Sequence, residues 1–178
     1  KACNPQVKIV IGGPHVSALP QLTLEEEPSI DYGIVGEGEI PLLSLVESKP
    51  LSAIKSLVWR KDGEIVINPR EPLIEDLGSL PFPDYESLPL PHYGTAYTGR
   101  SVGITSGRGC AHRCSFCASC VTHLGRYRVR PVEIFLDDIE RLLQLHVARF
   151  DIWDDTFTSS RERVYAFIEG YHKRNLKA

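Results

Sequence analysis

The fold class predicted is α/β: an open parallel sheet covered by helices over residues 1–68, then strand-loop-helix units over residues 99–178. Three observations predict it. Short β-branched runs alternate with helical patterns in the first part, and glycine-rich turns follow the strands. A proline-rich stretch, residues 69–98, interrupts that pattern. Beyond it the order is strand, cysteine loop, helix, strand, acidic loop, helix, with chemistry-bearing residues at the C-terminal ends of both strands, as in barrel enzymes.

Val7-Lys8-Ile9-Val10-Ile11 is a near-continuous apolar strand bounded by Gly12-Gly13-Pro14. A short helix is expected from Pro20, with Leu19 and Leu22 facing inward and Glu25-Glu26-Glu27 in solvent, until Pro28 stops it. Asp31-Tyr32-Gly33-Ile34-Val35 is the next strand and runs into Gly36-Glu37-Gly38-Glu39, after which Leu42, Leu43, Leu45 and Val46 mark a helix. Ligands of open α/β sheets sit beyond the carboxyl ends of the strands, where both glycine loops fall. Either loop alone could be only a tight turn, and His15 alone only a surface histidine.

Leu57-Val58-Trp59-Arg60 and Glu64-Ile65-Val66-Ile67 read as a hairpin, because Asp62-Gly63 favours the tight turn between them. Residues 69–98 carry Pro69, Pro72, Pro81, Pro83, Pro89 and Pro91, so an extended linker packed along both domains is expected there, the alternatives being a plain tether or one whose Tyr85, Tyr93 and Tyr97 approach a ligand.

Pro131 opens a helix with Val132, Phe135, Leu136, Ile139, Leu142 and Leu143 on one stripe. Arg149-Phe150-Asp151-Ile152-Trp153 is a strand ending in Asp154-Asp155-Thr156-Phe157. Ser159 and Glu162 have capping-box spacing for a last helix striped by Val164, Phe167, Ile168 and Tyr171.

Between the first strand and helix of this second half lies Cys110-x3-Cys114-x2-Cys117. Three thiols within eight residues point to one metal group, and three protein ligands leave a coordination position open for a substrate or cofactor. Two blander readings stand beside this one. The cysteines could be small core hydrophobes, although His112, Arg113 and Ser115 between them are poor core residues; or Cys120 could complete a closed four-cysteine zinc or iron-sulfur site. Five cysteines, mostly in one loop, fit metal chemistry in a reducing compartment better than a disulfide framework, with Cys3 standing apart.

Composition predicts a soluble globular chain of 178 residues. No run approaches the roughly 18 apolar residues of a membrane span and no leader pattern is present, so a cytoplasmic protein is expected. The absence of methionine suggests an internal piece of a longer protein. Residues 1–98 carry 7 basic and 14 acidic side chains, net −7, whereas residues 99–178 carry 13 and 9, net +4, which fits two domains with different partners. Arg100, Arg108, Arg113, Arg126, Arg128 and Arg130 could ease the charge of an anionic metal cluster; a nucleic-acid partner is disfavoured, since only Tyr127 is interleaved as an aromatic platform.

Gly109-Cys110-x3-Cys114-x-Phe116-Cys117 resembles the cluster loop of the radical S-adenosylmethionine (radical SAM) enzymes. The resemblance implies that Cys110, Cys114 and Cys117 hold a 4Fe-4S cluster whose fourth iron is chelated by SAM, with Cys120 not a ligand. Asp154-Asp155-Thr156 resembles the Asp-Asp-x-Phe variant of the SAM-binding loop, which makes Phe116, Asp154, Asp155 and Thr156 the implied SAM residues. Over about residues 5–48, Ile11-Gly12-Gly13-Pro14-His15-Val16-Ser17, Asp31-Tyr32 and Gly36-Glu37-Gly38-Glu39 resemble the closing half of the cobalamin-binding domain that precedes many radical SAM domains. Gly12, Gly13, His15, Gly36, Glu37, Gly38 and Glu39 are then the implied cobalamin residues.

On this resemblance residues 1–68 are the C-terminal part of a Rossmann-like (flavodoxin-like) cobalamin-binding domain with a hairpin, 69–98 a linker, and 99–178 the start of a partial TIM-like radical SAM barrel. The implied cofactors are a 4Fe-4S cluster, SAM and cobalamin. The implied partners are a small-molecule substrate and an electron donor such as flavodoxin or ferredoxin. The implied activity is reductive SAM cleavage by a cobalamin-dependent methyltransferase acting on an unactivated carbon. Cyclisation, rearrangement or methylthiotransferase-like chemistry is the alternative, and a non-catalytic iron-sulfur or cobalamin-binding module is the alternative of another class. Two βα units cannot close a barrel, so this piece alone is expected to be inactive.

Overall fold

A computed structural model describes residues 4–92, 101–147 and 149–177. Cys3, Tyr93, Tyr97 and Arg100, singled out from the sequence, lie outside the described residues. The chain forms two compact units, Lys1–Ile74 with Ala111–Arg126, and Glu75–Cys110 with Tyr127–Ala178.

The first unit is built on a four-stranded sheet of β1 (Val10–Ile11), β2 (Tyr32–Ile34), β3 (Leu57–Lys61) and β4 (Glu64–Ile67), in that order. β1 and β2 are parallel, but β2 pairs antiparallel with β3, so the sheet is mixed. The hairpin expected at Asp62-Gly63 extends the same sheet, and both turn residues adopt positive φ, 51° and 90°. Strand alternation covers both faces: Ile9, Ile11, Val58 and Ile65 pack with Leu24 and Ile30, while Val10, Tyr32, Ile34, Leu57 and Trp59 pack with Leu45 and Ile54.

The helices of this unit are α1 (Pro14–Ala18), α2 (Pro20–Glu26), α3 (Glu39–Val46) and α4 (Ser119–His123). Leu19 and Leu22 do not face inward: they are 46% and 42% exposed, and α2 buries Thr23 and Leu24 instead. The separate α1 accounts for this shift, because Leu19 becomes the joint between two proline-initiated helices. On α3 Leu45 reaches the core, whereas Leu42, Leu43 and Val46 stay exposed.

The second unit holds β5 (Ser101–Ile104) parallel to β8 (Arg149–Ile152), and a short antiparallel pair, β6 (Gly107–Arg108) with β7 (Arg128–Val129). Helix α5 (Val132–Gln144) buries Phe135, Leu136, Ile139 and Leu142, so its predicted stripe is the one that packs. Pro131 stands one position earlier than expected, as the cap. Helix α6 (Arg161–Lys173) is capped by Ser160, whose hydroxyl accepts from the Arg163 N–H, rather than by Ser159. Ser159 is taken up by a preceding turn of 3₁₀ helix.

The proline-rich stretch is not a plain tether. Leu77 and Leu90 are buried, Phe82 and Tyr85 pack against the core around Phe135, and the Tyr85 hydroxyl donates to the Gly103 carbonyl. Tyr85 is therefore a packing residue of the second unit. Arg130 is likewise structural: it donates to the Leu77 and Leu80 carbonyls and pairs with Asp138 at 3.1 Å.

Candidate cofactor sites

Two strand ends meet in the second unit, and side chains continue their pairing. Trp153 N–H donates to the Ile104 carbonyl at 2.8 Å, closing the β5–β8 ladder. One residue on, Asp154 Oδ1 accepts from the N–H groups of Ser106 (2.7 Å) and Gly107 (3.0 Å), and Oδ2 accepts from the Ser106 hydroxyl (2.5 Å). Asp155 Oδ2 accepts from Gly109 N–H at 2.9 Å, and the Thr156 hydroxyl donates to the Cys110 sulfur at 3.1 Å. The acidic loop thus fastens, residue by residue, the backbone that leads into the first cysteine. Asp154 spends both oxygens on this turn, whereas the Asp155 side of the loop is exposed.

The turn is braced from behind. Buried Arg163 donates from Nη2 to the Ser106 carbonyl, with its guanidinium 5.8 Å from the Phe157 ring centre. Nearby, burial raises the pKa of Tyr127 above that of an ordinary phenol, with Arg163 opposing and Asp154 adding to the rise.

In the first unit, Cys114 and Cys117 line a cavity of about 460 Å³ together with Arg113, Ser115, Cys120, Val121, Leu124 and Gly125. Cys110, Cys114, Cys117 and Cys120 are thiols rather than disulfides. Cys117 N–H donates to the Cys114 carbonyl, which turns the loop, and the Cys120 thiol donates to the His112 carbonyl at 3.4 Å. Phe116 is 91% exposed, without the burial its apolar ring would ordinarily find. Among the described residues no three His, Cys, Asp or Glu side chains converge as a ready metal site. The donor chemistry is nonetheless that of a soft metal group: three thiols in one loop, two of them on a cavity wall.

The two glycine loops of the first unit are joined by Ser17, a residue buried in α1. Its hydroxyl donates to the Gly13 carbonyl at 2.7 Å and accepts from Gly36 N–H at 2.9 Å. Side-chain atoms added at Gly12, Gly13 or Gly38 would meet nothing within 4 Å, so both loops offer bare backbone to open space. Such a cradle fits a bulky ligand lying on the backbone. Gly36 is different: at φ +82° it faces the Arg70 guanidinium, 2.8 Å from where a side chain would begin.

Arg70 was not legible as a site residue. Its Nη1 donates to the Val121 carbonyl at 2.8 Å and its Nη2 to the Thr122 carbonyl, at the C-terminal end of α4. Burial lowers its pKa and Glu37 opposes that shift. Glu37, with a side chain only 6% exposed, also accepts from Ile74 N–H at 2.8 Å and lies 3.8 Å from His123 Nδ1. Glu37 therefore binds protein, while His15 and Glu39 are exposed.

Comparison with known proteins shows what the chain is similar to. Residues 1–46 match the family described as B12 binding domain. An uncharacterised methyltransferase of Pyrococcus horikoshii is 34% identical over 169 residues, which cover 92% of this chain and 37% of the relative. This chain's first 46 residues are thus similar to a B12 binding domain. The anaerobic magnesium-protoporphyrin IX monomethyl ester cyclase of Rubrivivax gelatinosus is 32% identical over 186 residues, covering 99% of this chain and 33% of the cyclase. The fold is also that of the radical S-adenosylmethionine methyltransferase TsrM from Kitasatospora setae, solved with cobalamin and a [4Fe-4S] cluster bound, with TM-score 0.68, 21% identity, and coverage of 96% of this chain and 34% of that one. The chain spans about a third of the length of the curated relatives it matches.

Proposed function

We propose that this chain is the cofactor-holding part of a radical SAM enzyme that uses a 4Fe-4S cluster, SAM and cobalamin to methylate an unactivated carbon of a small molecule. The observation that carries the reading is the coexistence, in one chain, of a three-thiol loop and two linked glycine loops facing open space. When bound, the cluster supplies an electron for reductive cleavage of SAM, and cobalamin supplies a methyl carrier.

The chain's own residues bind and orient. Cys110, Cys114 and Cys117 hold the iron, and Gly12, Gly13 and Gly38 let the corrin lie on backbone. Gly36, Glu37, His15 and Glu39 complete that loop pair, with Glu37 acting through the position of its loop. Phe116, Asp155 and Thr156 border SAM, and Asp154 contributes by shaping the turn. In domain terms, residues 1–68 are the end of the cobalamin-binding domain, 69–98 the connection and 99–178 the start of the radical SAM domain. An electron donor such as flavodoxin or ferredoxin would serve it, in the cytoplasm.

A second reading keeps these cofactors and replaces methyl transfer by ring formation, favoured by the likeness to the cyclase over 99% of the chain. The test is anaerobic reconstitution of the intact protein with iron, sulfide and cobalamin, followed by SAM and a reductant. The expected products are 5'-deoxyadenosine together with S-adenosylhomocysteine. 5'-Deoxyadenosine alone would favour ring formation, and neither product would overturn both readings.

A further inference from the structure

The Asp154-Asp155-Thr156 row does more than border a ligand. Its contacts run in register along Ser106, Gly107, Gly109 and Cys110, and the row ends on a sulfur: Thr156 Oγ1 lies 3.1 Å from Cys110 Sγ with the hydroxyl as donor. Both ends of this contact are held by the same ladder of hydrogen bonds. Thr156 follows two carboxylates anchored to backbone N–H groups, and Cys110 follows Gly109, whose own N–H is held by Asp155 and whose φ is +78°. The half-buried hydroxyl is therefore held against the sulfur rather than meeting it by rotation of an exposed chain.

We propose that Thr156 is a positioning residue for the cluster: its hydroxyl orients the Cys110 sulfur as a ligand and, by donating to it, raises the reduction potential. This rests on the reading of Cys110 as a cluster ligand. The physical argument is about charge. Taking up one electron makes the ligand sulfurs more negative, so a donor on one of them stabilises the reduced state more than the oxidised one. Removing the donor while keeping the shape of the side chain should make reduction harder. Thr156→Val does that, because the two side chains differ chiefly by hydroxyl against methyl, and Thr156→Ser restores the donor.

The experiment is an EPR-monitored redox titration of the reconstituted intact protein without SAM, using a dithionite-class reductant as the one-electron source, alongside iron and sulfide content. Thr156→Val should lower the equilibrium constant for one-electron reduction about tenfold, a shift of about 59 mV to more negative potential, and Thr156→Ser should stay near wild type. Loss of the cluster from the Val variant with retention in the Ser variant would equally support the orienting role. Equal potential and equal iron content in wild type and Thr156→Val would overturn the proposal while leaving the cluster assignment standing, and so would loss of the cluster from both variants. A wild-type protein that takes up no 4Fe-4S cluster would instead sink the underlying reading of Cys110.

Discussion

Truncating Asp154 should destabilise the second unit far more than neutralising it. The Asp154→Ala change leaves two N–H donors, on Ser106 and Gly107, and the Ser106 hydroxyl without their acceptor, and Ser106 is fully buried. A buried donor without a partner costs about 1–3 kcal/mol. The hydroxyl can rotate toward another acceptor, so the two N–H groups dominate and the expected loss is roughly 3–5 kcal/mol. In Asp154→Asn the amide oxygen can stand where Oδ1 accepts both N–H groups, and the amide nitrogen can donate to the Ser106 hydroxyl oxygen. Only the charge assistance goes, roughly 1 kcal/mol. Urea unfolding of the cluster-free chain, followed by far-ultraviolet circular dichroism, reads both variants against wild type. Equal losses for Ala and Asn, or an Ala loss near that expected for Asn, would refute the argument that this carboxylate fastens the turn.

The remaining predictions concern the first unit. Gly38→Val should lower cobalamin retention on gel filtration while leaving folding nearly unchanged, because the added side chain enters open space at a negative φ of −93°. Gly13→Val should lower retention too and also cost about 1–3 kcal/mol of stability, since φ is +97° and ψ −171° there; retention equal to wild type in both variants would contradict the cradle. Arg70→Met should loosen α4 by removing two donors from its final carbonyls, seen as faster hydrogen exchange across residues 119–125, and unchanged exchange there would refute the brace.

Much of this was legible because local chemistry decided it. The Asp62-Gly63 turn and the Phe135 to Leu142 stripe each follow from residues close in sequence. What the sequence hid is set by distant partners. Leu22 has a helical apolar position yet stays exposed, because the side chains that sit over Gly33 are Val16 of α1 and Leu24 of α2. The antiparallel entry of β3 depends on where the chain returns after α3, which no run of residues encodes. Arg70 sits in a proline-rich stretch, 51 residues from the Val121 carbonyl it binds, and offers no local signal. Asp154 was recognisable as part of an acidic loop, but its commitment to Ser106 and Gly107 needed the parallel register of β5 and β8.

On the proposed function, three cysteines of one loop hold an iron-sulfur cluster with an iron left for SAM. The most direct measurement is iron and sulfide content of the reconstituted intact protein, with EPR of the reduced cluster recorded before and after adding SAM, for wild type and for single alanine variants of Cys110, Cys114, Cys117 and Cys120. The expected result is a cluster signal that changes on SAM addition in wild type and in Cys120→Ala, and loss of the cluster in the other three. A Cys120→Ala variant that loses its cluster as fully as the others, or a wild-type signal that SAM leaves unchanged, would contradict it.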